Sequence, residues 1–277
     1  MLVTIVSILS LLFCIFVPEF SGYNWLWKAP LAFAGCFLLL ALVSVGFLWG
    51  ACQLVDLSKP RTKDSPFYRR LAAVYIEALV QVLQVRIHVS GLEKFPEEGR
   101  VLLVCNHLFI ADPGVLLHVF RDKQLAFISK KENRNLFVVG RIMHAMLCQC
   151  LDRENDRAAL KTILECIRIV KEDEASVAVF PEGGTNHDNY LHPFRPGAFK
   201  IAQKANVPIV VCTIEGTRDI LRNGLRLKHT DVNLRLVEVL RPEDFKGMKT
   251  TEISDRVWEI MANDLGPGYQ LADTVES

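Results

Sequence analysis

The chain of 277 residues carries almost no net charge: 32 Lys and Arg against 31 Asp and Glu leave +1. Nothing in that balance favours nucleic acid as a partner, which asks for a basic face. A G-x-S-x-G elbow and a P-loop are both missing, so neither a hydrolase-type serine nor a glycine-rich phosphate cradle is spelled out. The eight cysteines include no C-x-x-C pair. Cys148 and Cys150 are one residue apart, which is not the spacing of a zinc or redox site. Cys14, Cys36 and Cys52 lie in apolar stretches, and Cys105 and Cys212 in strand-like runs, so all are expected as buried thiols. Internal repeats, low-complexity runs and an interdomain linker are also lacking.

Charge is wholly absent from two long stretches. Residues 1–17 hold only Thr4, Ser7 and Ser10 as polar groups, and residues 29–55 form a second uncharged run. They account for much of the 51% hydrophobic content and the mean hydropathy of +0.23. The second run is long enough to cross a hydrocarbon core of about 30 Å. The first is nearer the lower limit and fits either a short span or a helix lying in one leaflet. PEFSGYNWLWKAP between them supplies turn residues, and Trp25 and Trp27 suit a membrane interface. A cleaved signal peptide is the alternative, but no Lys or Arg precedes the first run and the second would remain. The expectation is a two-segment anchor over residues 1–57 and one folded domain over 58–277. Basic residues at 59, 61, 63, 69 and 70 follow the anchor, which puts the body on the cytoplasmic side by the positive-inside rule.

Within the body, residues 66–84 repeat apolar positions at helical spacing after Ser65-Pro66. VRIHVSG alternates as a strand does, and VLLVC reads as a buried strand. Asp112-Pro113 looks like an N-cap with Pro at the first helical position, opening PGVLLHVF. LAFIS, SVAVF, VPIVVCTI and VNLRLVEVL read as further strands, and residues 156–172, GAFKIAQKAN and TTEISDRVWEIMANDL as helices. Strands separated by helices predict an α/β fold with a mixed, largely parallel sheet covered on both faces. Sites in such sheets collect beyond the carboxyl ends of strands. Two loops fall there, CNHLFIAD and FPEGGTN.

In the first loop His107 and Asp112 are five residues apart, which on a helix separates side chains by about 140°. They can meet only if His107 sits in the loop and Asp112 at the helix start. A carboxylate on one imidazole nitrogen leaves the other as a base; the bland alternative is an exposed His beside a capping Asp. If His107 acts, its task is to deprotonate a substrate hydroxyl, since Cys105 falls inside the buried run. In the second loop Glu182 precedes Gly183-Gly184, where backbone amides can approach a ligand closely; a plain strand-ending turn reads equally well. HDNYLH gathers His187, Asp188 and His192, more simply a solvated loop than a metal site. His88 and His144 are expected in structural roles.

The two loops taken together resemble a known family. Asn-His, four residues, then Asp-Pro, followed some seventy residues later by Phe-Pro-Glu-Gly, is similar to the glycerolipid acyltransferases, and among them to the lysophosphatidic acid acyltransferases. LAFISKKENRNLFVVGRIMHAM is similar to the family's lysine-bearing segment, CQCLDREND to its second block, and HPFRPGAFKIAQKANVPIVVCTI to the stretch entering the fourth. The resemblance implies transfer of a fatty acyl group from acyl-carrier protein or coenzyme A to the sn-2 hydroxyl of 1-acylglycerol-3-phosphate. It makes His107 the general base and Asp112 its orienting group. Lys130 and Arg153 would hold the phosphate, and Glu182 and Gly183 would help position the glycerol. No metal or cofactor is implied, because a thioester is already activated, and the lipid substrates suit a membrane anchor.

One position departs from the pattern. The family continues Glu-Gly-Thr-Arg with a phosphate-binding arginine, whereas this chain has Glu182-Gly183-Gly184-Thr185 with unchanged spacing to Pro193-Phe194. A threonine hydroxyl can hydrogen-bond a phosphate but adds no charge. Arg195 or Arg153 could carry that charge, or the acceptor could be another lysophospholipid or a lyso-ornithine lipid. A non-catalytic membrane scaffold is the remaining alternative, against which the joint presence of His107, Asp112 and Glu182 speaks.

Overall fold

The structure, a computed structural model, describes residues 1–16, 25–152, 155–185, 188 and 190–269. The turn expected within residues 17–24, together with Arg153 and His187, lies outside the described residues. Two apolar helices come first, α1 (Leu2–Phe16) and α2 (Trp25–Gln53). At 1.5 Å per residue, α1 reaches about 22 Å and α2 about 43 Å, so only α2 exceeds the hydrocarbon thickness. Among the described residues α2 is also the one helix long and apolar enough to cross a membrane. Leu31, Leu38, Leu39, Leu42 and Val43 stand exposed along it, an apolar surface that water does not favour. α1 lies against α2 and reaches α3 (Pro66–Val82).

The C-terminal end of α2 is docked on the body. Tyr68 Oη donates to the Ala51 carbonyl at 2.9 Å, and Ala51 and Val55 are buried with Leu71 of α3 and Ala145. Trp49 stacks on Phe137 with centroids 5.9 Å apart. Both Phe137 and Ala145 belong to α5 (Phe137–Ala145), a helix that the sequence pattern did not single out.

The strands are β1 (Val85–Ser90), β2 (Leu102–Cys105), β3 (Leu125–Lys130), β4 (Gln149–Leu151), β5 (Ser176–Val179), β6 (Ile209–Glu215) and β7 (Thr230–Leu240). They form one sheet in the order β1-β7-β6-β2-β5-β3-β4. Every pairing is parallel except β6 with β7, as expected of a mixed, largely parallel sheet. β4 is the strand not foreseen, three residues pairing Ile128, Ser129 and Lys130 at one edge.

β2 lies at the centre, and all four of its residues are buried. Leu103 and Cys105 pack with Val115, Leu116 and Phe120 on one face. Leu102 and Val104 pack with Val170, Phe199, Val257 and Met261 on the other. Helices α3 and α4 (Asp112–Val119) therefore cover one side of the sheet. The other side is covered by α6 (Asp156–Lys171), α7 (Lys200–Ala205) and, after the short α8 (Ile220–Leu225), α9 (Thr250–Leu265). Burial on both faces explains why β2 reads as an unbroken apolar run. Each such Leu or Val contributes about 1.5–3 kcal/mol by leaving water.

Candidate active site

Because β6, β2 and β5 are adjacent and mutually parallel, their carboxyl ends bring three loops to one edge of the sheet. β2 ends at Cys105, and the chain leaves the ladder at Asn106, which is 1% exposed. The Asn106 side chain continues the pairing that the backbone gives up. Its Nδ2 donates to the Ile214 carbonyl at 3.0 Å, and its Oδ1 accepts from the Ile214 N–H at 2.8 Å. The amide thus mimics one more strand residue and frees the backbone to turn. Sequence reasoning missed this role, although an Asn directly after a buried strand is its visible mark.

The turn places His107 over β5. Its backbone N–H donates to Glu182 Oε1 at 2.7 Å, and its ring stacks on Phe180 with centroids 4.2 Å apart and planes 21° from parallel. Phe180 in turn stacks on Phe127 of β3 at 6.1 Å. Asp112 is fully buried. Its Oδ2 accepts from His107 Nδ1 at 2.8 Å, from Leu108 N at 2.6 Å and from Phe109 N at 2.8 Å. Asp112 is the first residue of α4, preceded by Ala111 at the cap position, rather than the cap itself. Its carboxylate points back into the loop because the amides of residues 108 and 109 need an acceptor there.

A carboxylate only accepts hydrogen bonds, so the hydrogen between Asp112 and His107 sits on Nδ1. A neutral ring in that tautomer carries its lone pair on Nε2. That nitrogen meets Thr185 Oγ1 at 3.1 Å, and the threonine hydroxyl is therefore the donor. The imidazole side chain keeps 16% of its surface exposed. The arrangement can accept a proton from a hydroxyl and hold the resulting cation against a buried anion.

Glu182 spans two loops: Oε1 takes the His107 amide and Oε2 takes the His192 amide at 3.1 Å. Gly183 has φ +79, and a Cβ on it would lie 2.6 Å from Arg195 Nε. Glycine there serves both the left-handed backbone and the passage of the arginine across the loop. The exposed Arg195 is held by its own amide, which donates to the Pro181 carbonyl at 2.8 Å. Lys130 ends β3, exposed. In the order β2-β5-β3 it stands two strands from His107, about 10 Å across the sheet. Next to it, Lys131 Nζ bonds both oxygens of Asp152 at 3.2 Å.

Other expectations resolve as follows. His192 pairs with Asp188 at 2.9 Å, while His187, the third member of that cluster, lies outside the described residues. His88 is a surface partner of Asp231 at 2.8 Å, and His144 Nε2 donates to the Lys59 carbonyl at 3.0 Å. Cys105 and Cys212 are buried, and burial pushes both thiols well above their ordinary pKa, which disfavours the thiolate a nucleophile needs. Cys14, Cys36 and Cys150 are only half-buried. A cleft of about 640 Å³ lined by Lys94, Pro208, Val237 and Arg241 opens at the other end of the strands, where Pro208 precedes β6. It takes no part in this site.

Residues 86–215 match the model of the Acyltransferase family. A 1-acyl-sn-glycerol-3-phosphate acyltransferase of Cocos nucifera is 25% identical over 235 residues, which cover 84% of this chain and 74% of that one. The chloroplastic 1-acyl-sn-glycerol-3-phosphate acyltransferase BAT2 of Brassica napus is 32% identical over 206 residues, 72% of this chain and 58% of its own length. The crystal structure of the 1-acyl-sn-glycerophosphate (LPA) acyltransferase PlsC from Thermotoga maritima superposes with a TM-score of 0.59 at 22% identity. That superposition covers 95% of this chain and 96% of that one, a likeness of fold.

Proposed function

We propose that this chain, which belongs to the acyltransferase family, moves a fatty acyl group from a thioester to the sn-2 hydroxyl of 1-acylglycerol-3-phosphate, giving phosphatidic acid. The observation that carries the reading is the Asp112–His107 pair, locked at 2.8 Å with Nε2 turned away from Asp112 towards Thr185, inside the segment that matches the family. His107 Nε2 takes the proton of the attacking hydroxyl, and Asp112 steadies the imidazolium that forms. The oxygen attacks the thioester carbonyl, the C–S bond breaks, and the departing thiolate takes the proton back from Nε2. The donor is an acyl-carrier-protein or coenzyme A thioester, whose own activation makes a metal or cofactor unnecessary.

The acceptor's phosphate needs cations near this edge. Lys130 ends the strand two places away, Arg153 is assigned by its family position, and Arg195 crosses the loop at Gly183. Arginine suits a phosphate because its planar fork donates two parallel bonds. Glu182 and Gly183 shape the rim where the glycerol sits. α2 serves as the membrane anchor, and the body faces the cytoplasmic leaflet from which the lipids enter. Its exit is tied to the lysine side of the sheet, where Arg134 Nη2 donates to the Leu57 carbonyl and His144 to that of Lys59.

Thr185 favours a second reading, in which the acceptor is another lysophospholipid or a lyso-ornithine lipid, since the family's arginine charge is missing there. One experiment addresses both. Detergent-purified protein is incubated with acyl-carrier-protein or coenzyme A thioesters and a panel of lyso-lipids, alongside His107→Ala. Acylation of lysophosphatidic acid, lost in the variant, is expected. Preference for a lyso-lipid lacking the phosphomonoester supports the second reading. No acylation of any acceptor, or full activity in His107→Ala, overturns the mechanism.

A further inference from the structure

Three side chains from the two loops stand in line, His107 and Asp112 from the first and Thr185 from the second. Thr185 Oγ1 lies 3.1 Å from His107 Nε2, and His107 Nδ1 lies 2.8 Å from Asp112 Oδ2. Hydroxyl, imidazole and buried carboxylate within hydrogen-bond reach form the arrangement that activates a nucleophilic Ser or Thr. Where the family pattern has an arginine, which cannot attack a carbonyl, this chain has a hydroxyl donating to the base.

We propose that Thr185 is an acyl acceptor built into the site, so that without a lipid hydroxyl the protein cleaves acyl thioesters by way of an acyl-threonine. Thr185 Oγ1 attacks the thioester carbonyl while His107 Nε2 takes its proton. The new C–O ester bond forms, the C–S bond breaks with its electron pair on sulfur, and the imidazolium returns the proton to the thiolate. Water, deprotonated at the same Nε2, then attacks the threonine ester. Free fatty acid leaves and the threonine hydroxyl is restored. No further reactant is needed. The ring is fixed from beneath by Phe180 at 4.2 Å, and Gly184, with nothing within 4 Å of its Cβ position, leads the chain into Thr185 beside Nε2. The inference rests on His107 being the base.

The test uses the full chain in detergent with a long-chain acyl-coenzyme A and no lyso-lipid. Thiol release is followed, and acid-quenched samples are mapped by mass spectrometry. The parent and Thr185→Ser are expected to release thiol and carry one acyl group at position 185, labile to hydroxylamine. Thr185→Val, near in shape but lacking the hydroxyl, loses the adduct and slows thiol release, because only direct attack by water at His107 remains. Retention in the Ser variant separates chemistry from folding. Thiol release that requires a lyso-lipid, no acyl-protein, or an adduct at another residue overturns the proposal. In those cases acceptor-dependent transfer that is lost in His107→Ala still upholds the function proposed above, whereas full transfer by His107→Ala sinks both.

Discussion

Asp112→Asn separates the electrostatic part of the site from its shape. Asp112 is fully buried, so it touches no substrate. Its Oδ2 gathers three donors, His107 Nδ1, Leu108 N and Phe109 N, at 2.8, 2.6 and 2.8 Å, while Oδ1 is buried with no hydrogen-bond partner among the described residues. An asparagine that puts its carbonyl at the Oδ2 position keeps those contacts and leaves an NH₂ unsatisfied at Oδ1. That costs about 1–3 kcal/mol, offset in part because no charge is left in the interior. Turned the other way, the amide presents hydrogens to the two backbone N–H groups and forces His107 into the tautomer with hydrogen on Nε2, which cannot act as a base. In both cases the anion that steadies the imidazolium is gone. The expected loss in kcat is about 10²–10⁴-fold, or about 2.7–5.5 kcal/mol of barrier, with KM for both substrates within about threefold because binding groups are untouched. Thiol release at saturating thioester and lyso-lipid gives kcat, and thermal unfolding of the same preparation checks the fold. A kcat within about threefold of the parent, with the unfolding midpoint retained, would refute the argument that a buried carboxylate steadies the base.

Two further outcomes follow from the same geometry. Arg195→Ala should raise KM for lysophosphatidic acid by about 10–100-fold, the worth of a charge-assisted contact of about 1.5–3 kcal/mol, whereas Thr185→Arg should lower it. KM values unchanged in both variants would mean that the head group is not read at this loop. The cysteines should be dispensable: burial pushes the Cys148 thiol up to about 11, which disfavours its thiolate at pH 7. Cys105 is raised as well. Brief iodoacetamide treatment, or Cys105→Ala, should leave acyl transfer intact; rapid inactivation by alkylation at Cys105 would place a nucleophile on β2 and contradict the direct role of His107.

Legibility in the sequence tracked the locality of the cause. VLLVC announced a central strand because burial on both faces demands an apolar run, and the helix over 156–172 showed its amphipathic face. α5 was hidden because it is nine residues long with Gly140 inside it, a glycine kept by close packing on the Arg134 carbonyl, 2.2 Å from where a Cβ would lie, and not by helix propensity. β4 is three edge residues, too short to display an alternation. For the site, His107 and Asp112 were legible through their spacing, but the Asn106 amide pairing with Ile214 spans 108 residues. The stacking of His107 on Phe180 likewise depends on the register of β2 with β5. Such contacts exist only once the sheet order is set.

The placement of Thr185 has a consequence for how this chain tolerates its departure from the family pattern. Every group that fixes the base comes from elsewhere: Asn106 from the end of β2, Phe180 from the end of β5, Asp112 from α4, and Glu182 through a backbone amide. Changing residue 185 removes none of these contacts, so His107 keeps its orientation whichever side chain stands there. In the proposed mechanism reaction type rests on His107 and Asp112, and acceptor choice on residue 185. Exchange at one loop position can then shift which hydroxyl reaches Nε2 — the lipid's, water's or the protein's own — without a cost to the sheet edge that holds His107.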